Sequence, residues 1–149
     1  MNVKKVPIEK VLEPAFRFVF AMARMSDRIL RNEVGIGISQ FRILTALTYH
    51  PNCSQKKIAS FWDVTEASIS RQIQNLLSEE LITKTPNPKN QKSAFLNTSP
   101  KGKALLQKCR QHINRHAERT FNVIDESDRK NLALLLNQMF ECVKKEVEI

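Results

Sequence analysis

The chain has 149 residues, 42% of them apolar, and carries 24 Lys and Arg against 15 Asp and Glu, a net charge of +9. That is enough for one packed core, so 1–149 is expected to be one domain, or one domain with extended arms, with little room for two. Three glycines argue against Gly-rich phosphate loops and turn-rich all-β folds, and the basic excess makes a polyanion the first partner to consider. The longest strictly apolar run, Phe18 to Ala23, is far too short to span a bilayer. Nothing near the start has the apolar stretch and small-residue cleavage site of a secretory signal. Cys53, Cys109 and Cys142 are odd in number and widely spaced, so a disulfide framework is not expected and a reducing cytoplasm is.

Taken in chain order, Ile8, Val11, Leu12, Ala15, Val19, Met22, Met25 and Ile29 recur at helical spacing. Phe16, Phe18 and Phe20 widen that stripe, which predicts a helix covered on more than one side. Pro14 should kink it or start its regular part. Residues 32–37, NEVGIG, read as a break. Ser39 is expected to cap a second helix running to Tyr49, with Phe41, Ile43, Leu44 and Leu47 inward. Ser54 caps a short third helix with Ile58, Ala59 and Phe61 inward. Trp62-Asp63-Val64 makes a turn, and Thr65 caps a fourth helix to Leu77 with Ile69, Ile73, Leu76 and Leu77 inward.

Leu81 to Thr85 and Ala94 to Thr98 then alternate loosely around a polar loop containing Pro86 and Pro88, the pattern of a β-hairpin. Ser99-Pro100 starts a long helix carrying Leu105, Leu106, Cys109, His112, Ile113, Ala117 and Phe121. Asp125 or Ser127 caps a last one, striped by Leu132, Leu135, Leu136, Met139, Val143 and Val147. From Leu81 to Ala117 there is no acid, yet there are Lys84, Lys89, Lys92, Lys101, Lys103, Lys108, Arg110 and Arg115. Such a stretch attracts phosphate because nothing in it neutralises the field.

Two short helices, a three-residue turn and a basic hairpin form one device. The helix from Ser54, with Lys56, braces the DNA backbone, and the helix from Thr65 lies in the major groove. Its outward positions are Glu66, Ala67, Ser68, Ser70, Arg71, Gln72, Gln74 and Asn75. Arginine pairs with guanine and glutamine with adenine, while Ser and Thr read either or bind phosphate. Lys84, Lys89, Asn90, Gln91 and Lys92 on the hairpin reach the minor groove or the backbone. The expected fold is mainly α with a small β-hairpin wing: a winged helix-turn-helix lobe over 39–100.

Ile38-Ser39-Gln40-Phe41-Arg42-Ile43-Leu44, Lys57-Ile58-Ala59 and Ser68-Ile69-Ser70-Arg71-Gln72-Ile73-Gln74-Asn75-Leu76 resemble the second, third and recognition helices of MarR-type transcriptional regulators. Leu81-Ile82, Asn87-Pro88 and Lys101-Gly102-Lys103-Ala104-Leu105-Leu106 follow in the order of that family's strand, wing and fifth helix. The resemblance implies an obligate homodimer joined through flanking helices, here 1–34 and 100–149. It also implies a cytoplasmic repressor of duplex DNA that a small molecule releases. Two places depart from the family pattern. Its wing commonly has Asp-Arg-Arg where this chain has Asn90-Gln91-Lys92, and it has glycine where this chain has Glu80. Lysine lacks arginine's planar fork, so the wing should hold phosphate more than it reads bases.

Phe16, Phe20 and Arg24 share one face of the first helix, and Phe41 and Leu44 lie one turn apart on the second. Together they suggest a cleft for a small aromatic or anionic effector. Cys109, His112 and His116 also share a helix face, as metal ligands do. Zinc wants about four donors, however, and Arg42 stands where zinc-sensing relatives resemble a histidine ligand. A packing role with locally bonded histidine tips is therefore expected, with no metal and no cofactor. Cys53 is expected in an exposed loop, and Tyr49 and Trp62 as core or pocket walls. The four aspartates flank helix ends or turns, and no nucleophile, general-base or phosphate-loop pattern stands out, so an enzyme is not expected. The remaining alternatives are a metal- or redox-responsive regulator of the same fold and a helical interaction scaffold that does not bind DNA.

Overall fold

In the computed structural model, residues 6–88, 90 and 93–146 are described. The elements are α1 (Glu9–Ile29), a π-helical turn (Leu30–Val34), α2 (Ile38–Tyr49), α3 (Gln55–Ser60), α4 (Glu66–Ser78), β1 (Ile82–Pro86), β2 (Ala94–Thr98), α5 (Pro100–Phe121) and α6 (Glu126–Glu146). It is the expected order of a mainly helical chain with one hairpin. Lys89, Gln91, Lys92 and Val147 fall outside the described residues.

Three of the expected caps form. Ser54 accepts from Lys57 N, Thr65 from Ser68 N, and Ser99 from Gly102 N with Pro100 opening the helix. Each satisfies a backbone N–H that the first turn leaves without a partner. Asp125, of the two candidates, caps α6 through Asp128 N at 2.8 Å. The start of α2 differs. Ser39 lies inside its first turn, and Gly37 is the cap residue. Gly37 N donates to Gln40 Oε1 at 3.1 Å, and Ile38 N donates to Asp27 Oδ1 at 2.8 Å. The cap thus comes from α1, eleven residues earlier in the chain. Pro14 sits within α1, five residues after its start. The expected break at 32–37 shrinks, because helical hydrogen bonding continues to Val34 and stops at Gly35, whose φ of +87° favours glycine.

One core holds the α2–β2 lobe to α5. Leu30, Ile43, Leu44, Leu47, Ile58, Leu76 and Cys109 are its most enclosed side chains, and Ile69, Ile73, Leu81, Ile82, Leu96 and Leu106 complete it. The hairpin is antiparallel, with Ile82 opposite Thr98 and Lys84 opposite Leu96. Cys53 pairs with Leu96 as an isolated bridge, N to O at 3.3 and 2.9 Å. This stitches the segment before α3 to the wing and buries the thiol at 2% exposure, where an exposed loop cysteine was expected. Tyr49 departs in the other direction. It is exposed, with the Arg110 guanidinium 5.9 Å from its ring centroid.

The hairpin is anchored on the first turn of α5. Ser99 Oγ donates to Glu80 O at 2.7 Å, Ser99 N to Leu81 O at 3.1 Å, and Lys101 Nζ to Glu79 O at 2.8 Å. Gly102 lies so close that a Cβ would meet Leu81 O at 2.0 Å. Glu80 takes a φ of +59°, a conformation natural to glycine and strained for other residues. Two substitutions should therefore have opposite signs. Gly102→Ala should lower unfolding free energy by about 3 kcal/mol through overpacking against backbone. Glu80→Gly should raise it by up to about 1 kcal/mol by relieving strain. Urea titration followed by circular dichroism checks both, and Gly102→Ala at wild-type stability would contradict the packing.

Candidate nucleic-acid interface

Local sequence sets the geometry of the α3–α4 unit. Val64 N donates to Ala59 O at 3.1 Å, and Asp63 takes a φ of +49°, which closes the turn. Gln55 Nε2 donates to Glu66 O at 3.1 Å and ties α3 to the first turn of α4. With Ile69, Ile73 and Leu76 buried, the opposite face of α4 stands out from the lobe. Ala67, Ser68, Arg71 and Gln74 are exposed on it, and Ser70 and Gln72 flank it half-buried. The Ser68 hydroxyl donates back to Thr65 O at 2.7 Å, so its oxygen lone pairs face outward. Arg71 is the one cation on this face.

The wing rises beside it. Between the α3–α4 unit and the hairpin runs a cleft of about 690 Å³, bordered by Ser54, Lys56, Lys57, Glu66, Lys84 and Asn90. Three lysines against one glutamate make it electropositive. Lys56 and Lys84 were expected here. Lys57 and Gln55 were not, although the adjacent Lys56-Lys57 pair was the available signal. The wing turn is built by backbone and amide bonds. Asn90 N donates to Asn87 O at 3.1 Å, Ser93 N to Asn90 O at 2.9 Å, and Asn87 Nδ2 to Ser93 Oγ at 2.9 Å. The expected phosphate contacts Lys89, Gln91 and Lys92 lie outside the described residues.

The residues expected to form an effector cleft do not gather. Leu44 is fully buried in the core, Phe41 packs half-buried against it, and Phe16 and Phe20 are exposed on α1. Their helical phase placed them on shared faces, but α2 turns its pair into the lobe interior. Arg24 borders a different groove, toward α5. Trp62 is half-buried with the Arg42 guanidinium 5.4 Å from its ring centroid.

Cys109, His112 and His116 also separate. Cys109 is fully enclosed, and burial pushes its thiol up to about 11. The two imidazoles close on Glu33 of the π-turn. His112 Nδ1 bonds Oε2 at 2.5 Å and His116 Nε2 bonds Oε1 at 2.7 Å, while Arg115 Nη2 donates to Oε2 at 3.2 Å. Among the described residues, no group of three His, Cys, Asp or Glu is placed to hold a metal. The imidazoles thus have a local partner, and that partner was missed because Glu33 lies 79 residues before His112. Hydrogen bonding from His112, and then from His116, holds the Glu33 carboxyl below its ordinary value despite partial desolvation.

Comparison with known proteins comes to the same fold. Residues 36–94 match the sequence model of the MarR family. The multiple antibiotic resistance protein MarR of Salmonella typhimurium is 24% identical over 115 residues, covering 74% of this chain and 80% of that protein. The crystal structure of wild-type MarR from E. coli superposes with a TM-score of 0.73 at 17% identity, covering 91% of this chain and 98% of that one. Streptococcus pneumoniae FabT, solved in complex with DNA, gives a TM-score of 0.72 at 12% identity, covering 93% of this chain and 99% of that one. No helix among the described residues is long and apolar enough to cross a membrane.

The Glu33 bonds make a pH prediction. A carboxyl depressed on folding contributes stability that is full above its unfolded value, near 4.5, and is lost as pH falls through the lower folded value. The stability difference between wild type and Glu33→Gln should be largest above pH 5 and shrink steadily toward pH 3 in urea titrations. A difference that stays constant across that range would mean that Glu33 is not held as a carboxylate.

Proposed function

We propose that this chain is a member of the MarR family, a cytoplasmic, homodimeric, sequence-specific duplex-DNA-binding regulator, and a repressor that a small molecule releases. The observation that carries the reading is the juxtaposition of two surfaces. The polar face of α4, with Arg71 at its centre, stands free of the core, and beside it runs a cleft edged by Lys56, Lys57 and Lys84. The helix matches the width of a major groove and carries short polar groups able to meet base edges. The lysines match the two backbones that flank the groove. A helical interaction scaffold would have no need of either. FabT, which shares the fold, has been solved with DNA.

The dimer reading rests on unburied apolar area. In one protomer Val11, Leu12, Phe16, Phe18, Val19 and Phe20 of α1 are between 42% and 68% exposed, and Leu134, Leu135, Leu136, Met139, Phe140 and Val143 of α6 between 51% and 58%. Apolar exposure of this extent marks a partner surface, and Phe18 meets Phe121 edge-on at 5.8 Å, so α1 and the end of α5 pack together on that side. A second copy supplies the same belt and pairs the two DNA-binding lobes for a pseudo-palindrome.

Two experiments test this. An operator selected from a random duplex pool should lose about 1–3 kcal/mol of affinity on Arg71→Ala, with the fold unchanged by circular dichroism. Equal affinity would remove α4 from the interface. In sedimentation velocity the wild type should run as a dimer, while the doubly substituted Leu136→Glu, Val143→Glu chain should run as a monomer or aggregate. A wild-type monomer that binds DNA would contradict the dimer.

A further inference from the structure

We infer that Glu66 is a specificity-determining residue, whose carboxylate accepts a hydrogen bond from the exocyclic amino group of a cytosine at one position in each half-site. The inference rests on the DNA-binding reading above and adds to it one base that the protein selects.

Glu66 is the first residue of α4, directly after the cap residue Thr65. The N-terminal residues of a recognition helix are the ones that meet base edges. The main chain here is held from two sides. The Thr65 hydroxyl accepts from Ser68 N at 3.2 Å, and Gln55 Nε2 donates to Glu66 O at 3.1 Å. The backbone of Glu66 is thus fixed while its side chain stays exposed. Beside it Ala67, Ser68 and Ser70 are small, so no long side chain among them keeps this end of the helix from the groove floor.

The charge of Glu66 is the odd one in its surroundings. It is the single acid bordering the cleft that Lys56, Lys57 and Lys84 line. Among the described residues its carboxylate makes no ion pair and no hydrogen bond, with those lysines or with any other group. A carboxylate turned toward phosphate is repelled, whereas an amino group on a base edge satisfies it. In the major groove cytosine presents N4–H2 and no acceptor of its own. Adenine sets N7 beside its amino group, and guanine and thymine present O6, N7 and O4, all of which repel a carboxylate. The negative charge of Glu66 therefore favours cytosine and disfavours the other three bases. An acid in the first turn also stabilises the helix through its dipole, but that effect is the same for every DNA sequence, so base selection separates the two roles.

The experiment selects operators from a random duplex pool, at one salt concentration, with the full chain as wild type, Glu66→Gln and Glu66→Ala. The side chain is exposed, and circular dichroism checks that both variants keep the wild-type fold. Wild type should return cytosine at one position, repeated by symmetry in the other half-site. Glutamine carries both a donor and an acceptor and pairs with adenine. Glu66→Gln should therefore return adenine at that position and Glu66→Ala no preference, with all other positions unchanged. In fluorescence anisotropy, replacing that cytosine should weaken wild-type binding at least about five-fold and Glu66→Ala binding by less than about two-fold. Identical selected sequences for the three chains overturn the inference. So does a variant that binds every sequence more tightly by one common factor, because Glu66 then acts only on the field around the backbone. Failure of the wild type to select any operator overturns the DNA-binding reading, and the inference falls with it.

Discussion

The structure turns on the contact between the end of α4 and the first turn of α5. Ser99 is the pivot. Its N–H donates to Leu81 O, its hydroxyl donates to Glu80 O, and the same oxygen accepts from Gly102 N. One residue therefore caps α5, closes the hairpin and fixes the exit of α4. The contact tolerates no side chain at position 102 and holds Glu80 in a left-handed conformation. Strain of this kind persists only where surrounding structure over-determines it. Here the buried Leu81 and Ile82 on one side and Leu106 and Cys109 on the other do so. The junction and the shared core together set the wing and α4 relative to α5.

From that junction the rest follows in two directions. Toward the wing, the pairing of Cys53 with Leu96 ties the loop before α3 to β2, so α3, α4 and the hairpin are joined. That body presents the polar face of α4 and the lysine-edged cleft together. A rigid platform holds side chains at fixed spacing without an ordering cost on binding. Toward the flanks, α5 carries the lobe to α1 and α6, whose apolar side chains stay exposed in a single protomer. The Glu33 carboxylate, gripped by His112, His116 and Arg115, joins those flanks to the π-turn that leads into the lobe. On the proposed reading, any signal passing from the dimer helices to DNA crosses this point.

Local signals carried most of the fold. Ser54, Thr65 and Ser99 cap within three residues of their targets, so their chemistry is legible from adjacent letters. The buried stripe of α4, Ile69, Ile73 and Leu76, follows from spacing alone. What the sequence concealed was contact between distant segments. Asp27 replaces Ser39 at the start of α2 because it reaches across from α1. Cys53 is buried because a strand 43 residues later covers it. Phe41 and Leu44 have the right phase for a cleft, but nothing local says that α2 turns that face into the core. Glu33 and its two histidines are likewise far apart in sequence. The exposed residues of α4 were legible because burial on one side fixes exposure on the other, while the place of Lys57 and Gln55 beside the cleft depends on where the wing stands.

The most direct test of the central claim is the salt dependence of binding to random duplex DNA, followed by fluorescence anisotropy. A protein that lays α4 in the major groove and lysines on the backbone releases condensed counterions. The logarithm of its affinity should fall linearly and steeply with the logarithm of salt concentration, at about 0.9 per phosphate contacted. A flat response, or no measurable binding at low salt, would contradict the account.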